Sequence, residues 1–488
     1  MSGLLDAVAR HAQRQPERVA LRGRHGDLTY AALQAAVERL AATLDGRCLG
    51  LLAANDPAWL VADLAALRRG IPCVPLPTFF SPGQLEHVVR DAGIDLLLAD
   101  RDLPGLLPGA RHAWVEVAGT RLARWQCPPL RPLPAGATKV TYTSGTTGAP
   151  KGVVLGAPAL ARVTAALAQA CGARADDRLL SLLPLATLLE NLGVHAALLS
   201  GATATLLPAD RVGLHGADGG DPGPLLAALD RTQPTTLILV PQLLQLLVEL
   251  AEAGRELPAS LRFVAVGGAP VTPALLARAA AQRLPVYQGY GLSEAASVVT
   301  LNRPRANRPG SVGQPLPHAA LRISGSGEVL VRGALFDGYL DGTPVDRHGW
   351  WPTGDLGHLD DDGFLFLTGR RSTRFITAYG RNVAPEWVET ELLADAPVTQ
   401  ALVTGEARPF NVALLVPRPG SDHDALAAGI RTVNARLPDY ARIAHFAVAD
   451  EPFSIANGEL TGSGRPRRQA ILARYGERLA ALYPEPPA

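Results

Sequence analysis

The stretch TYTSGTTGAPKGV, Thr141 to Val153, sets five serine and threonine hydroxyls and three glycines around one lysine. Glycines let backbone amides close on an anion, and the hydroxyls add further donors. A lysine beside them supplies a mobile point charge suited to terminal phosphates. Thr143, Ser144, Gly145, Thr146, Thr147, Gly148 and Lys151 therefore read as a phosphate loop, entered from the β-rich run TKVTYT. The Walker A pattern GxxxxGK[ST] does not fit, because Pro150 precedes the lysine and Gly152 follows it. A short glycine- and threonine-rich loop is usually only a surface turn, but this string is far more specific than such a loop. The lysine is itself informative. Of 46 basic residues only Lys139 and Lys151 are lysines, so arginine has taken nearly every other basic position.

The chain has 488 residues, enough for two or more domains, and its 47% hydrophobic content supports sizeable cores. A net charge of +1 excludes a global field for nucleic acid or an acidic membrane. The opening MSGLLDAVARHAQRQPERVAL has a helical period and lacks the basic-then-apolar order of a signal peptide. The most apolar run, Leu182 to Leu207, is interrupted by Pro184, Glu190, Asn191 and His195. A membrane-spanning helix needs about 20 apolar residues, so the run is expected to be core and no transmembrane segment is expected. Cys48, Cys73, Cys127 and Cys171 are scattered without CxxC spacing and read as buried thiols of a cytoplasmic protein.

Strand and helix patterns alternate through the first three quarters. LTYAALQAAVERLAATL is an amphipathic helix opened by Thr29; CLGLLAAN is a buried strand, and PAWLVADLAALRRG a helix. PTTLILVP, QLLQLLVELAEAG and LRFVAVGG repeat the strand, helix, strand order. Such alternation implies parallel sheets covered by helices. After about Leu316 the texture changes: LRISGSGEVLVRG and GHLDDDGFLFLTGR are short strands with Gly and Asp turns, a small antiparallel unit. The expected fold is α/β, with a large N-terminal domain (1–371) of parallel sheets, helices and this antiparallel unit. A small α/β C-terminal domain (372–488) follows.

With the phosphate loop, four further stretches make the chain resemble the adenylate-forming, or AMP-binding, enzymes, most closely the fatty acyl-CoA synthetases. They are VGGAP (Val266 to Pro270), GYGLSEA (Gly289 to Ala295), TGDLG (Thr353 to Gly357) and GRRSTRFITAYGRNVAPEWVE (Gly369 to Glu389). They occur in the family's order and span nearly the whole chain. The resemblance implies that Gly268, Ala269 and Pro270 flank an adenine, with Tyr290 and Gly291 opposite. It implies that Glu294 holds Mg2+ and that Ser293 meets the α-phosphate or the acid. It implies that Asp355 binds the ribose hydroxyls and Arg370 the ribose or phosphate. Each role suits its side chain: a hard cation takes carboxylate oxygen, and a carboxylate can accept from both ribose hydroxyls.

The implied reaction activates a carboxylic acid with ATP to acyl-AMP and pyrophosphate, then passes the acyl group to a thiol, expected to be coenzyme A. The alternatives are loading of an acyl-carrier protein, formation of a β-lactone or amide, or nucleotide binding without turnover. The resemblance also implies that the C-terminal domain moves between the two half-reactions, with Ser372 at the hinge position. The segment LPLATLLENLGVHAALLSGA lacks the aspartate of amino-acid-activating relatives. It resembles the LPLAHxxE pattern of fatty acyl-CoA synthetases, with Thr187 for the histidine and Glu190 kept. Near the C-terminus, NGELTGSGRPRRQAI places Arg465 where the family carries a lysine that bridges the acid and the α-phosphate. Arginine keeps the charge but is bulkier and planar. Either activity is retained through general arginine drift, or adenylation is altered.

Overall fold

Thr29 caps the helix Tyr30–Thr43, accepting from the Ala32 amide at 3.2 Å. The strand Leu49–Leu52 that follows is buried at every residue. Asp56 then caps the helix Pro57–Arg69, which starts on proline and stops at Gly70 with φ +68°. Thr29 is the start signal read from the sequence; Asp56, Pro57 and Gly70 supply the start and stop of the second helix. The computed structural model describes residues 2–103, 106, 110–126, 132–143, 151–213, 222–343, 345–346, 348–371, 373–379, 381–461 and 464–483.

Two large sheets carry the N-terminal part, one of nine strands and one of eight among the described residues. Their centres are parallel. Phe263–Val266 lies parallel between Thr236–Leu239 and Val286–Leu292, and Leu49–Leu52 between Cys73–Pro75 and Leu96–Ala99. Parallel strands need covering helices on both faces, which explains the long apolar runs of these segments. The unit after Leu316 is a four-stranded antiparallel sheet of Ala319–Ile323, Glu328–Gly333, Trp351–Leu359 and Leu365–Arg370. The C-terminal part is a three-stranded sheet, Val398–Thr404, Asn411–Pro417 and Ile443–Val448, with helices Pro385–Asp395, His423–Asn434 and Arg468–Ala480. Its two hydrophobic clusters draw buried residues only from Phe375 onward, while the largest cluster runs from Leu4 to Phe336. The α/β architecture expected from the pattern is the one observed.

The apolar run from Leu182 contains the helix Leu188–Leu199, buried along most of its length. No helix among the described residues is long and apolar enough to cross a membrane. Cys48 and Cys73 are buried and free; Cys171, expected to be buried, is free but only half-buried. Cys127 and the hinge position Ser372 lie outside the described residues.

Candidate active site

The phosphate-loop reading begins on a hairpin. Ala137–Thr143 pairs antiparallel with Lys151–Gly156, and the register closes at Thr143 opposite Lys151. Ser144, Gly145, Thr146, Thr147 and Gly148 occupy the connection and lie outside the described residues. Lys151 is exposed at the base of this connection, makes no ion pair among the described residues, and lines a cleft of about 2790 Å3. Gly152 is glycine for a packing reason: a Cβ there would lie 2.5 Å from Leu340 Cδ1 and 3.1 Å from Tyr142 Cζ. Leu340 can sit on it because Gly338–Tyr339 joins the same sheet, with Tyr339 opposite Val153.

Glu294 lies in the short 3-10 turn Ser293–Ala295 that ends the strand Val286–Leu292. Its Oε1 accepts from the Tyr339 hydroxyl at 2.8 Å, and its backbone oxygen accepts from the Phe336 amide at 2.8 Å. Oε2 has no donor among the described residues, and the side chain lines the cleft beside Ser293. Mg2+ commonly takes one or two carboxylates together with substrate phosphates. A half-buried carboxylate with one oxygen uncommitted among the described residues fits that ion.

Asp355 and Arg370 stand directly opposite each other on adjacent antiparallel strands. Arg370 Nε donates to Asp355 Oδ1 at 2.7 Å, and the Tyr290 hydroxyl donates to Oδ2 at 2.7 Å. Burial, reinforced by the Asp355 charge, pushes the Tyr290 phenol up, so it stays a donor. The carboxylate, 6% exposed, is thus fixed from both sides where it lines the cleft. Gly268 has φ +83°, a conformation side chains resist, and lines the cleft with Ala269 and Pro270. Gly291, expected to serve a nucleotide face, lines the same cleft. Packing also keeps it a glycine, since a Cβ would lie 1.7 Å from the Ser297 carbonyl oxygen.

Arg465 comes from the C-terminal part and reaches across the cleft, where its guanidinium donates to the Gly268 carbonyl. A second bridge joins Arg418 to Glu249 at 3.5 Å. The cleft therefore brings together Lys151, Glu294, Ser293, Tyr290, Gly268, Asp355, Arg370 and Arg465. The same cleft is also lined by Leu183, Ala186, Leu188, Ile238, Val240 and Leu243. Thr187 also lines it, and its hydroxyl donates to Pro184 O at 2.7 Å, closing the turn that opens the helix Leu188–Leu199.

Sequence reasoning missed Tyr339, which touches Glu294 and places its ring centroid 5.7 Å from Lys151 Nζ. Its role depends on an edge strand of two residues, Gly338–Tyr339, docking nearly 190 positions after the phosphate loop. The one available signal was Gly152, a glycine that implies close packing by some other segment.

Comparison with known proteins places this geometry. Residues 8–340 match the AMP-binding enzyme family, and residues 373–486 match the AMP-binding enzyme C-terminal domain. The chain is 31% identical to a feruloyl-CoA synthase of an Amycolatopsis species, over 97% of this chain and 99% of that protein. It is 29% identical to a long-chain-fatty-acid–CoA ligase of Mycobacterium bovis, over 89% and 87%. Among solved structures it resembles o-succinylbenzoate CoA synthetase from Bacillus subtilis in complex with its acyl-adenylate intermediate. That likeness has a TM-score of 0.76 at 25% identity and covers 95% of this chain and 97% of that one. The chain belongs to the AMP-binding enzyme family of adenylate-forming ligases.

Proposed function

We propose that this AMP-forming acid–thiol ligase activates an apolar carboxylic acid, of the fatty acid class, and passes it to coenzyme A. The observation that carries the proposal is one cleft lined both by these polar groups and by leucine, isoleucine and valine side chains. An apolar tail would lie along those side chains, with its carboxylate near Gly268 and Arg465.

In the first half-reaction the acid's carboxylate attacks the α-phosphate of ATP, and the bond to pyrophosphate breaks. Negative charge shifts onto the leaving group, so the enzyme's task is positioning and electrostatic stabilisation. Lys151 meets the terminal phosphates from the hairpin. Glu294 would hold Mg2+, which when bound draws charge from the phosphate oxygens. Asp355, fixed by Tyr290 and Arg370, accepts from the ribose. Arg465, already at the Gly268 carbonyl, is within the cleft from which a cation can reach both the acid and the α-phosphate. In the second half-reaction the thiol displaces AMP from the acyl carbonyl. Residues 1–371 and 372–488 act as separate bodies in this scheme, turning about Ser372. The free thiols of Cys48, Cys73 and Cys171 suit a reducing cytoplasm.

The test is to incubate the protein with ATP, Mg2+, coenzyme A and a panel of fatty and aromatic acids, and to analyse the products by mass spectrometry. Acyl-CoA with equimolar AMP from the fatty acids supports the proposal. Aryl-CoA alone would move the substrate class, and acyl-AMP without thioester would move the acceptor.

A further inference from the structure

The segment Phe336–Leu340 holds both sides of the polar rim at once. Toward Glu294 it donates twice, from the Phe336 amide to the backbone oxygen and from the Tyr339 hydroxyl to Oε1, each at 2.8 Å. Toward the lysine hairpin it donates from the Asp337 amide to Val154 O at 2.7 Å and from the Leu340 amide to Gly152 O at 2.9 Å. Gly152 directly follows Lys151. The Tyr339 ring, packed edge-on against Phe336 at 4.9 Å, presents itself to Lys151 Nζ at 5.7 Å from its centroid. That distance is within the range at which a ring attracts a cation. Trp351 flanks both rings, edge-on to Phe336 at 4.9 Å and tilted to Tyr339 at 6.3 Å.

We propose that Tyr339 is a positioning residue for adenylation, aiming the Glu294 carboxylate with its hydroxyl and the Lys151 ammonium with its ring. With Oε1 committed to Tyr339, Oε2 is the oxygen left for the cation. A carboxylate free to rotate would offer either oxygen and lose entropy on binding. Groups that hydrogen-bond to a metal ligand typically change metal affinity by about 10- to 100-fold when removed. The proposal rests on the assignment of Glu294 to Mg2+ and Lys151 to phosphate given above, and the test separates the two.

The experiment is calorimetric titration of ATP in the absence of acid, at graded Mg2+ and in EDTA, alongside thermal unfolding of the unliganded protein. The variants are Tyr339→Phe, Tyr339→Leu, Glu294→Gln and the double variant Tyr339→Phe/Glu294→Gln. Tyr339→Phe should raise the Mg2+ concentration needed for half-maximal binding by about tenfold. Its binding in EDTA should match wild type, and its melting temperature should stay close to wild type. Tyr339→Leu should also weaken binding in EDTA, because the ring beside Lys151 is gone. In the Glu294→Gln background Tyr339→Phe should have no further effect on the Mg2+ dependence. If Glu294→Gln shifts the Mg2+ dependence and Tyr339→Phe does not, the proposal is overturned while the metal assignment stands. If the two losses simply add, Tyr339 does not act through Glu294 and the proposal is equally overturned. If Glu294→Gln leaves the Mg2+ dependence unchanged, the metal assignment itself is wrong.

Discussion

Lys139 Nζ lies 2.7 Å from Asp63 Oδ1, and both side chains are sealed from solvent. Asn191 Oδ1 accepts from the same ammonium at 2.5 Å, and His195 Nε2 meets Asp63 Oδ2 at 3.1 Å. Burial alone would raise the Asp63 carboxyl, but Lys139 and His195 outweigh it and hold it well below its usual range. The cluster joins the helix Pro57–Arg69, the strand Ala137–Thr143 that leads to the phosphate hairpin, and the helix Leu188–Leu199. The chain's two lysines are thus lysines for different reasons. Lys139 fills a closed site with a compact cation, whereas Lys151 is exposed.

Lys139→Met should destabilise the protein by about 3–5 kcal/mol, because Asp63 is left charged and buried without its partner. Lys139→Arg should cost about 1–3 kcal/mol, since the larger guanidinium overfills the site. Adding Asp63→Asn to Lys139→Met should recover much of the first loss. Urea unfolding checks all three, and equal stability of Lys139→Met and wild type would contradict the packing account.

Glu190, in the first turn of the helix Leu188–Leu199, is fully buried. Burial pushes its carboxyl up to about 8. Ser181 and the Leu182 and Leu183 amides lie near enough to temper that rise, but neither carboxyl oxygen has a well-formed hydrogen bond among the described residues. The folded state therefore keeps a proton that the unfolded chain releases near its ordinary value of 4.5. The resulting stability is full below that value and is lost as pH rises toward 8. Glu190→Gln should remove this dependence and gain on wild type as pH increases. Parallel stability-against-pH curves for the two proteins would show that Glu190 is not held protonated.

Lys151→Ala should lower acid-dependent pyrophosphate release by about 100-fold, mainly in kcat, because its charge is needed most as pyrophosphate departs. The melting temperature should not change, since Lys151 is exposed and makes no ion pair among the described residues. Turnover equal to wild type would remove Lys151 from the phosphate site.

Arg465→Ala should slow formation of acyl-AMP by at least about tenfold, equivalent to about 1.4 kcal/mol. Transfer from ready-made acyl-AMP to coenzyme A should be nearly unaffected, because the proposed domain movement carries Arg465 away from Gly268. Arg465→Lys should preserve or improve the first step. Single-turnover assays of each half-reaction separate these outcomes, and equal loss in both would point to a folding role.

The sequence was most informative where one local signal decides the structure. Thr29 capping its helix and the β-rich run TKVTYT leading into the lysine loop are of this kind, and each involves residues near in the chain; the second arm of the hairpin, Lys151–Gly156, was not read. The Asp355–Arg370 pair was half legible: TGDLG and GRR were recognised, but not that the two residues face each other across a sheet. Tyr339, and the partners of Lys139, could not be read in advance. Their neighbours are set by which strand docks on which, and that depends on the whole packed core. Gly291 shows the converse, a glycine beside the site whose cause is the neighbouring strand at Ser297.

Formation of an acyl-adenylate from an apolar acid in this cleft is the step that separates a ligase from a nucleotide binder. It is tested most directly by exchange of labelled pyrophosphate into ATP, with Mg2+ and single carboxylic acids and without coenzyme A. Exchange should be negligible without acid, appear with fatty acids, and be absent with acids bearing a second charge at the far end. ATP binding with no exchange for any acid would contradict the account and mark the protein as a nucleotide binder without turnover.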